Sequence, residues 1–181
     1  MIVLLSVGLL LLAVAVVVLF AMLGELASRV PRSSEAAVWT AEVKDAPRGV
    51  SPAEWPQELS DVAVAEQALL VVLSTVCNSC IAVAEELGRI PPRTLGPLGI
   101  VLSTGSSARG AEFAFRHGLN VFPVFVDDGG AWVGREFAVN SSPTALSLSH
   151  GRLMNAHSFA GAGALRELIA ERQVSNQESE V

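Results

Sequence analysis

Apolar residues are distributed along this chain in two different ways. Residues 2–23 form an unbroken uncharged run dominated by Leu and Val. As a helix, those 22 residues span about 33 Å, enough for a hydrocarbon core of roughly 30 Å. From residue 59 the apolar positions instead come in short blocks between Gly, Pro and polar clusters. Residues 68–73 and 98–103 read as strands buried on both faces. Residues 79–87, stopped by Gly88 and with Glu85 and Glu86 facing out, predict a helix, and residues 107–117, stopped by Gly118, predict another. Residues 122–126 predict a third strand ended by Asp127-Asp128-Gly129-Gly130, and residues 132–137 a short helix. A hairpin follows, with arms at 144–149 and 152–158 and a turn at His150-Gly151. A last helix, residues 162–172, carries Leu165, Leu168 and Ile169 on one side. The β-α-β-α-β order, then a hairpin and a closing helix, predicts an α/β fold with a mixed sheet.

The pattern divides the chain into a transmembrane anchor (1–24), a juxtamembrane tether (25–58), a folded domain (59–174) and a disordered tail (175–181). The tether is rich in Ser, Ala and Pro and has no sustained periodicity; its Trp39 and Trp55 are expected to pack on the domain or near lipid headgroups. The alternative for the leader is a cleaved signal peptide. That would want a basic start, a shorter apolar stretch and a small-x-small cleavage site, whereas this run ends in Leu23-Gly24-Glu25-Leu26. Arg29 and Arg32 just after the span favour a cytoplasmic domain under the positive-inside rule. The domain's chemistry points the other way, and the expectation is a single-pass bacterial membrane protein with its domain outside the cytoplasm.

Composition narrows the function classes. The 181 residues carry a net charge of −6 and one lysine, Lys44, which makes nucleic acid a poor partner. The two cysteines cannot staple a disulfide-dense mini-protein. Gly105-Ser106-Ser107-Ala108-Arg109-Gly110 lacks the Lys-Ser/Thr ending of a phosphate-binding loop and reads as a helix cap. Asp127 and Asp128 read as a turn. Asn140-Ser141-Ser142 matches a glycosylation sequon but abuts Pro143. His117, His150 and His157 are scattered at element ends.

Both cysteines lie in one motif, Cys77-Asn78-Ser79-Cys80, where a buried strand hands over to a helix. A helix N-terminus has unpaired N–H groups and the positive end of the dipole, so it favours an anion there, and the thiolate is the reactive form of cysteine. Cys77 is therefore the candidate nucleophile. Cys80, one turn on, is the candidate resolving thiol, able to attack a mixed disulfide between Cys77 and a substrate. A zinc half-site, a structural disulfide and two incidental core cysteines are the other readings; zinc would need two more ligands than the histidine spacing offers. A second feature is Ser141-Ser142-Pro143-Thr144 at the start of a strand. An X-Pro bond can be cis at low cost, and here that would expose the Ser142 backbone to a passing peptide.

In these residues the chain resembles the membrane-anchored, extracytoplasmic branch of the thioredoxin superfamily. Leu73-Ser-Thr-Val-Cys-Asn-Ser-Cys80, the extra strand-helix around residues 124–139, Ser142-Pro143-Thr144 and the Gly151 hairpin carry the resemblance over roughly residues 60–172. Within that branch it looks most like the methylamine dehydrogenase accessory (MauD-like) and TlpA-like proteins. The resemblance implies a thioredoxin fold with an extra strand-helix insertion behind one transmembrane helix, and a cis Pro143 facing the cysteines. It further implies dithiol exchange with exported protein disulfides, in the reductive direction, and a membrane redox partner that recycles the pair. No cofactor or metal is implied. Ser142, Pro143 and Thr144 would dock the substrate, and Asn78, Ser79 and Val76 would tune the pair. The chain departs from the family at Val76, where a Trp is usual, at Ser79, where a Pro is common, and in residues 69–73, which lack a buried acid. Without that acid, the resolving thiol's proton would need water, Glu66 or Glu85. Two rival functions follow: a redox-inactive binding or scaffold module on the same fold, or a peroxiredoxin-like peroxide reductase using Ser74 or Thr75.

Overall fold

The computed structural model describes Val16 and residues 40–179, with side chains described to residue 170. The expected anchor (Val16 apart), Trp39, Arg29, Arg32 and the last two residues lie outside the described residues. Among the described residues no helix is long and apolar enough to cross a membrane.

Continuous apolar runs suit strands covered on both sides, and the two longest runs form the middle of the sheet. Strand β1 is Thr40–Glu42, β2 Gln67–Ser74, β3 Leu98–Thr104, β4 Val124–Asp128, β5 Thr144–Ser149 and β6 Arg152–Phe159. Their order across the six-stranded sheet is β1-β6-β5-β2-β3-β4. β2 pairs in parallel with β3, and β3 with β4. β5 runs antiparallel to both β2 and β6, and β1 antiparallel to β6, so the sheet is mixed as expected.

Successive residues point to opposite faces. In β2, Leu69, Val71 and Leu73 enter one buried cluster while Ala68, Leu70 and Val72 enter the other. The first face is covered by α2 (Asn78–Leu87), α3 (Ser107–Arg116) and α5 (Ala162–Ser179), through Val83, Ala84, Leu87, Phe113, Ala114 and Leu165. The second is covered by α1 (Ser60–Val64), α4 (Ala131–Phe137) and residues 43–59.

That last segment shows no period in the sequence, yet it belongs to the folded unit. Val43 N–H donates to Ala156 O (2.9 Å), Gly49 N–H to Leu153 O (2.6 Å), and Leu153 N–H to Val50 O (2.8 Å). Trp55 stands edge-on to Trp132, ring centroids 5.7 Å apart, and Trp132 Nε1 donates to Glu54 O at 3.2 Å. The segment follows β6 by backbone bonding and closes the second face with a few scattered side chains, Val43, Ala46, Trp55 and Leu59, so it has no need of a repeating apolar stripe.

The boundaries that differ most from the sequence reading are those of β4 and the end of α5. Phe122 closes a 3-10 turn, donating its N–H to Leu119 O, and Pro123 has no N–H for a ladder, so β4 begins at Val124 rather than 122. The strand then runs on through Asp127-Asp128, read from the sequence as a turn. Asp127 is buried at 2% exposure, and its carboxylate accepts Trp132 N–H and Val133 N–H, both at 2.9 Å. It thereby satisfies the first turn of α4. Finally, α5 continues past Arg172 to Ser179, with no Gly or Pro after Gly163 to stop it. The hairpin turn falls at His150 and Gly151 as expected, with φ of 47° and 70°. A side chain at Gly151 would also strike Ala63 O at 2.6 Å.

Replacing Asp127 by Ala leaves two buried N–H groups at the start of α4 unpaired. The expected loss is about 2 kcal/mol of unfolding free energy, read as a lower urea midpoint at unchanged m-value.

Candidate functional site

β2 ends at Ser74, and the chain turns through Thr75 and Val76 into the first residue before α2. That residue is Cys77, in extended backbone (φ −99°, ψ 121°), with its sulfur where a capping Ser or Asp oxygen would be. Cys80 N–H donates to Cys77 Sγ at 3.3 Å, and Ile81 N–H donates to Cys77 O at 3.1 Å. Cys77 is half-buried and Cys80 fully buried, and both thiols are free. One turn of helix thus separates a sulfur that meets solvent from one inside the core that holds Leu73, Val83, Ala145 and Phe159.

β5 brings the second half of the site. Val72 of β2 pairs with Thr144 of β5, which sets residues 141–143 beside the turn that carries Cys77. The Ser142–Pro143 bond is cis, and Cys77 Sγ donates to Ser142 O at 3.7 Å. Pro143 is buried, and its carbonyl accepts Phe159 N–H at 3.2 Å. Thr144 is fully buried and donates its hydroxyl to Ser141 O at 2.8 Å, so its side chain holds the 141–144 turn from inside. Asn78 and Ser79 are exposed in the first turn of α2, and Val76 is 84% exposed at the rim.

Burial pushes the Cys80 thiol up from 9.0 to about 12, and the Cys77 side chain adds to the effect. A backbone hydrogen bond at Ser74 and a side-chain hydrogen bond from Ser142 act against it. The two acids that the sequence offered for Cys80's proton are elsewhere. Glu66 precedes the eight-residue β2, whose length of about 26 Å separates it from the cysteine end. Glu85 is exposed and paired with Arg89 at 3.8 Å. The histidines are dispersed. His117 stacks against Phe113, with centroids 4.5 Å apart, His150 lies in the hairpin turn, and His157 sits in β6 opposite Ala145.

Sequence reasoning missed the Ser142 carbonyl as the partner of the Cys77 thiol. The Ser-Pro pair after Asn140 was the signal for it, and only the β2–β5 register places it at the sulfur.

No protein-family model and no curated protein matches this sequence. Solved structures do match the fold. A thioredoxin-like protein solved in its oxidised form has a TM-score of 0.55 at 16% identity, covering 71% of this chain and 97% of that one. DsbF of Mycobacterium tuberculosis, solved in mixed oxidised and reduced forms, has a TM-score of 0.52 at 17% identity, covering 61% and 84%. A secreted M. tuberculosis disulfide oxidoreductase homologous to E. coli DsbE has a TM-score of 0.51 at 14% identity, covering 72% and 99%. The chain has a mixed α/β thioredoxin-like fold.

The high value at Cys80 has a consequence for stability. The folded reduced chain keeps this proton above pH 9.0, where the unfolded chain releases it. Its contribution is complete below pH 9.0 and is lost as the pH rises toward about 12. The slope is at most about 1.4 kcal/mol per pH unit. Urea unfolding of the reduced protein on either side of pH 9 should show this decline, and Cys80→Ala should lack that component.

Proposed function

We propose that this chain is a thiol-disulfide oxidoreductase, held at the membrane by residues 1–24, whose domain lies outside the cytoplasm and reduces disulfides in exported proteins during their maturation. The observation that carries the reading is the asymmetric pair. Cys77 Sγ lies at the start of α2 against the Ser142 carbonyl of a cis Ser142–Pro143 bond, with Cys80 fully buried behind it. The likeness to disulfide oxidoreductases supports it at the level of fold, and one of those relatives is a secreted protein.

In the first step the Cys77 thiolate attacks a substrate disulfide. A Cys77–substrate disulfide forms, the substrate S–S bond breaks, and one substrate sulfur leaves as thiolate. In the second step Cys80 loses its proton and attacks Cys77 Sγ. The Cys77–Cys80 disulfide forms and the second substrate thiolate departs, so the substrate gains two electrons and the protein loses two. Ser142 and Pro143 present backbone to the substrate, and Thr144 holds their turn. Asn78, Ser79 and Val76 line the approach and tune the pair. A membrane redox partner returns the electrons, and no diffusible cofactor enters either step.

Cys77→Ser should abolish reduction of a disulfide-linked peptide, and Cys80→Ser should halt at a mixed disulfide that survives a non-reducing gel. Equilibration of the wild-type pair with dithiothreitol buffers should give a potential near or below about −250 mV. A value near −120 mV would make the protein an oxidant instead, and the absence of a reversible couple would leave a binding module. A membrane-impermeant thiol reagent should label Cys77 in reduced intact cells; labelling only after lysis would place the domain in the cytoplasm.

A further inference from the structure

The charged side chains of this acidic chain avoid one end of the sheet. β2, β3 and β4 finish, and β5 starts, at the end that carries Cys77. β6 finishes there too, since its Ser158 pairs with Thr144. Five connections run into or out of strands at that end: residues 75–77, 105–106, 129–130, 138–143 and 160–161. Among the described residues, none of the five carries a charged side chain, and neither do the first turns of α2 and α5. Arg109 and Asp128 lie on the β4 side of the sheet, two strands from β2. The opposite end differs: its connections bring Glu66, Arg89 and Arg93, together with His117 and His150.

Around the sulfur this neutral surface is also made of small side chains. The strand order β6-β5-β2 sets residues 160–161, 141–143 and 75–77 side by side. Their exposed members are Ala160, Ser141 and Val76, and the exposed Asn78 and Ser79 follow on α2. Val76 is 84% exposed immediately before the nucleophile. A disulfide that reaches Cys77 Sγ brings its flanking residues onto these side chains, and whatever docks there loses water. An uncharged residue loses little by it, whereas a charged one finds no opposite charge to replace its hydration. The charges elsewhere on the chain are screened within about 10 Å at roughly 0.1 M salt.

We propose that the surface around Cys77 selects disulfides flanked by uncharged residues with small or aliphatic side chains, and that Val76 sets this preference. The inference rests on the thiol-disulfide reading above and names the class of substrate that reading leaves open. Val76 offers an aliphatic contact beside the path to Cys77 Sγ. Asn78 and Ser79 offer a donor and an acceptor each, which pair with peptide backbone without favouring either sign of charge. Docking is then driven by burial and not by electrostatic steering, so exchange with such a substrate depends little on salt.

The test uses the full-length reduced chain in a nonionic detergent and three peptides, each closed by one disulfide. They differ only in the residues beside the cysteines, which are Ser and Val, Lys, or Glu. Each rate of peptide reduction is divided by the rate with 2,2′-dipyridyl disulfide, a small uncharged reagent, so that any change in the reactivity of Cys77 itself cancels. The neutral peptide should be reduced at least about fivefold faster than either charged one. Its rate should change less than about twofold between roughly 20 and 500 mM salt. Val76→Glu should make the Lys peptide the fastest at low salt, and Val76→Lys should do the same for the Glu peptide, each advantage fading at high salt. Arg93→Ser, at the opposite end of the sheet, should leave the order unchanged. Equal rates for the three peptides, or a charged peptide faster than the neutral one in the wild type, would overturn the selection while leaving the thiol-disulfide reading in place. So would a new order in Arg93→Ser, which would trace the preference to overall charge. An unchanged order in both Val76 variants would remove Val76 from the role. A wild-type chain that reduces none of the peptides would remove the thiol-disulfide reading itself, and the selection with it.

Discussion

The pairing of β2 with β5 is the constraint on which the site depends. It sets Val72 beside Thr144 and so lays the Ser142–Pro143 turn against the sulfur that β2 delivers one short loop later. The register is held by burial on both faces. A slip of one residue would send Leu146 and Leu148 to the opposite face and bring Ser147 into the core in their place. Pro143 is stitched from the other side, where Phe159 N–H reaches its carbonyl. The Ser142–Pro143 turn is therefore tied to β6 by a backbone hydrogen bond and to Cys77 by the thiol, although it lies in a connection.

The same burial makes two chemically different thiols from one motif. Side chains three residues apart on a helix share a face, but the first precedes the helix and the second is inside it. Cys77 keeps access to solvent and receives a backbone N–H. Cys80 shares its cluster with aliphatic and aromatic side chains, which disfavours its thiolate.

Much of this was legible in the chain itself. The runs at 68–73 and 98–103 announced strands covered twice, because only such strands tolerate apolar residues on both faces. The two Cys at one strand-to-helix junction announced the chemistry, and Gly118 and the His150-Gly151 turn marked their boundaries through local backbone preference. Residues 43–59 were harder to read. Their place is set by backbone bonds to β6 and by the Trp55–Trp132 contact, neither of which leaves a period. Asp127 reads as a turn residue among glycines until the fold turns α4 back onto its carboxylate.

Local sequence thus determined the elements from β2 onward, their order and the placement of both cysteines at one strand-to-helix junction, because hydrophobic period, helix capping and turn preference act over a few residues. Tertiary structure alone decided that the carbonyl meeting Cys77 is that of Ser142, and that Glu66 and Glu85 both lie away from Cys80. Those outcomes depend on strand register and burial, which bring together residues 60 or more positions apart, and no short-range pattern encodes such a distance.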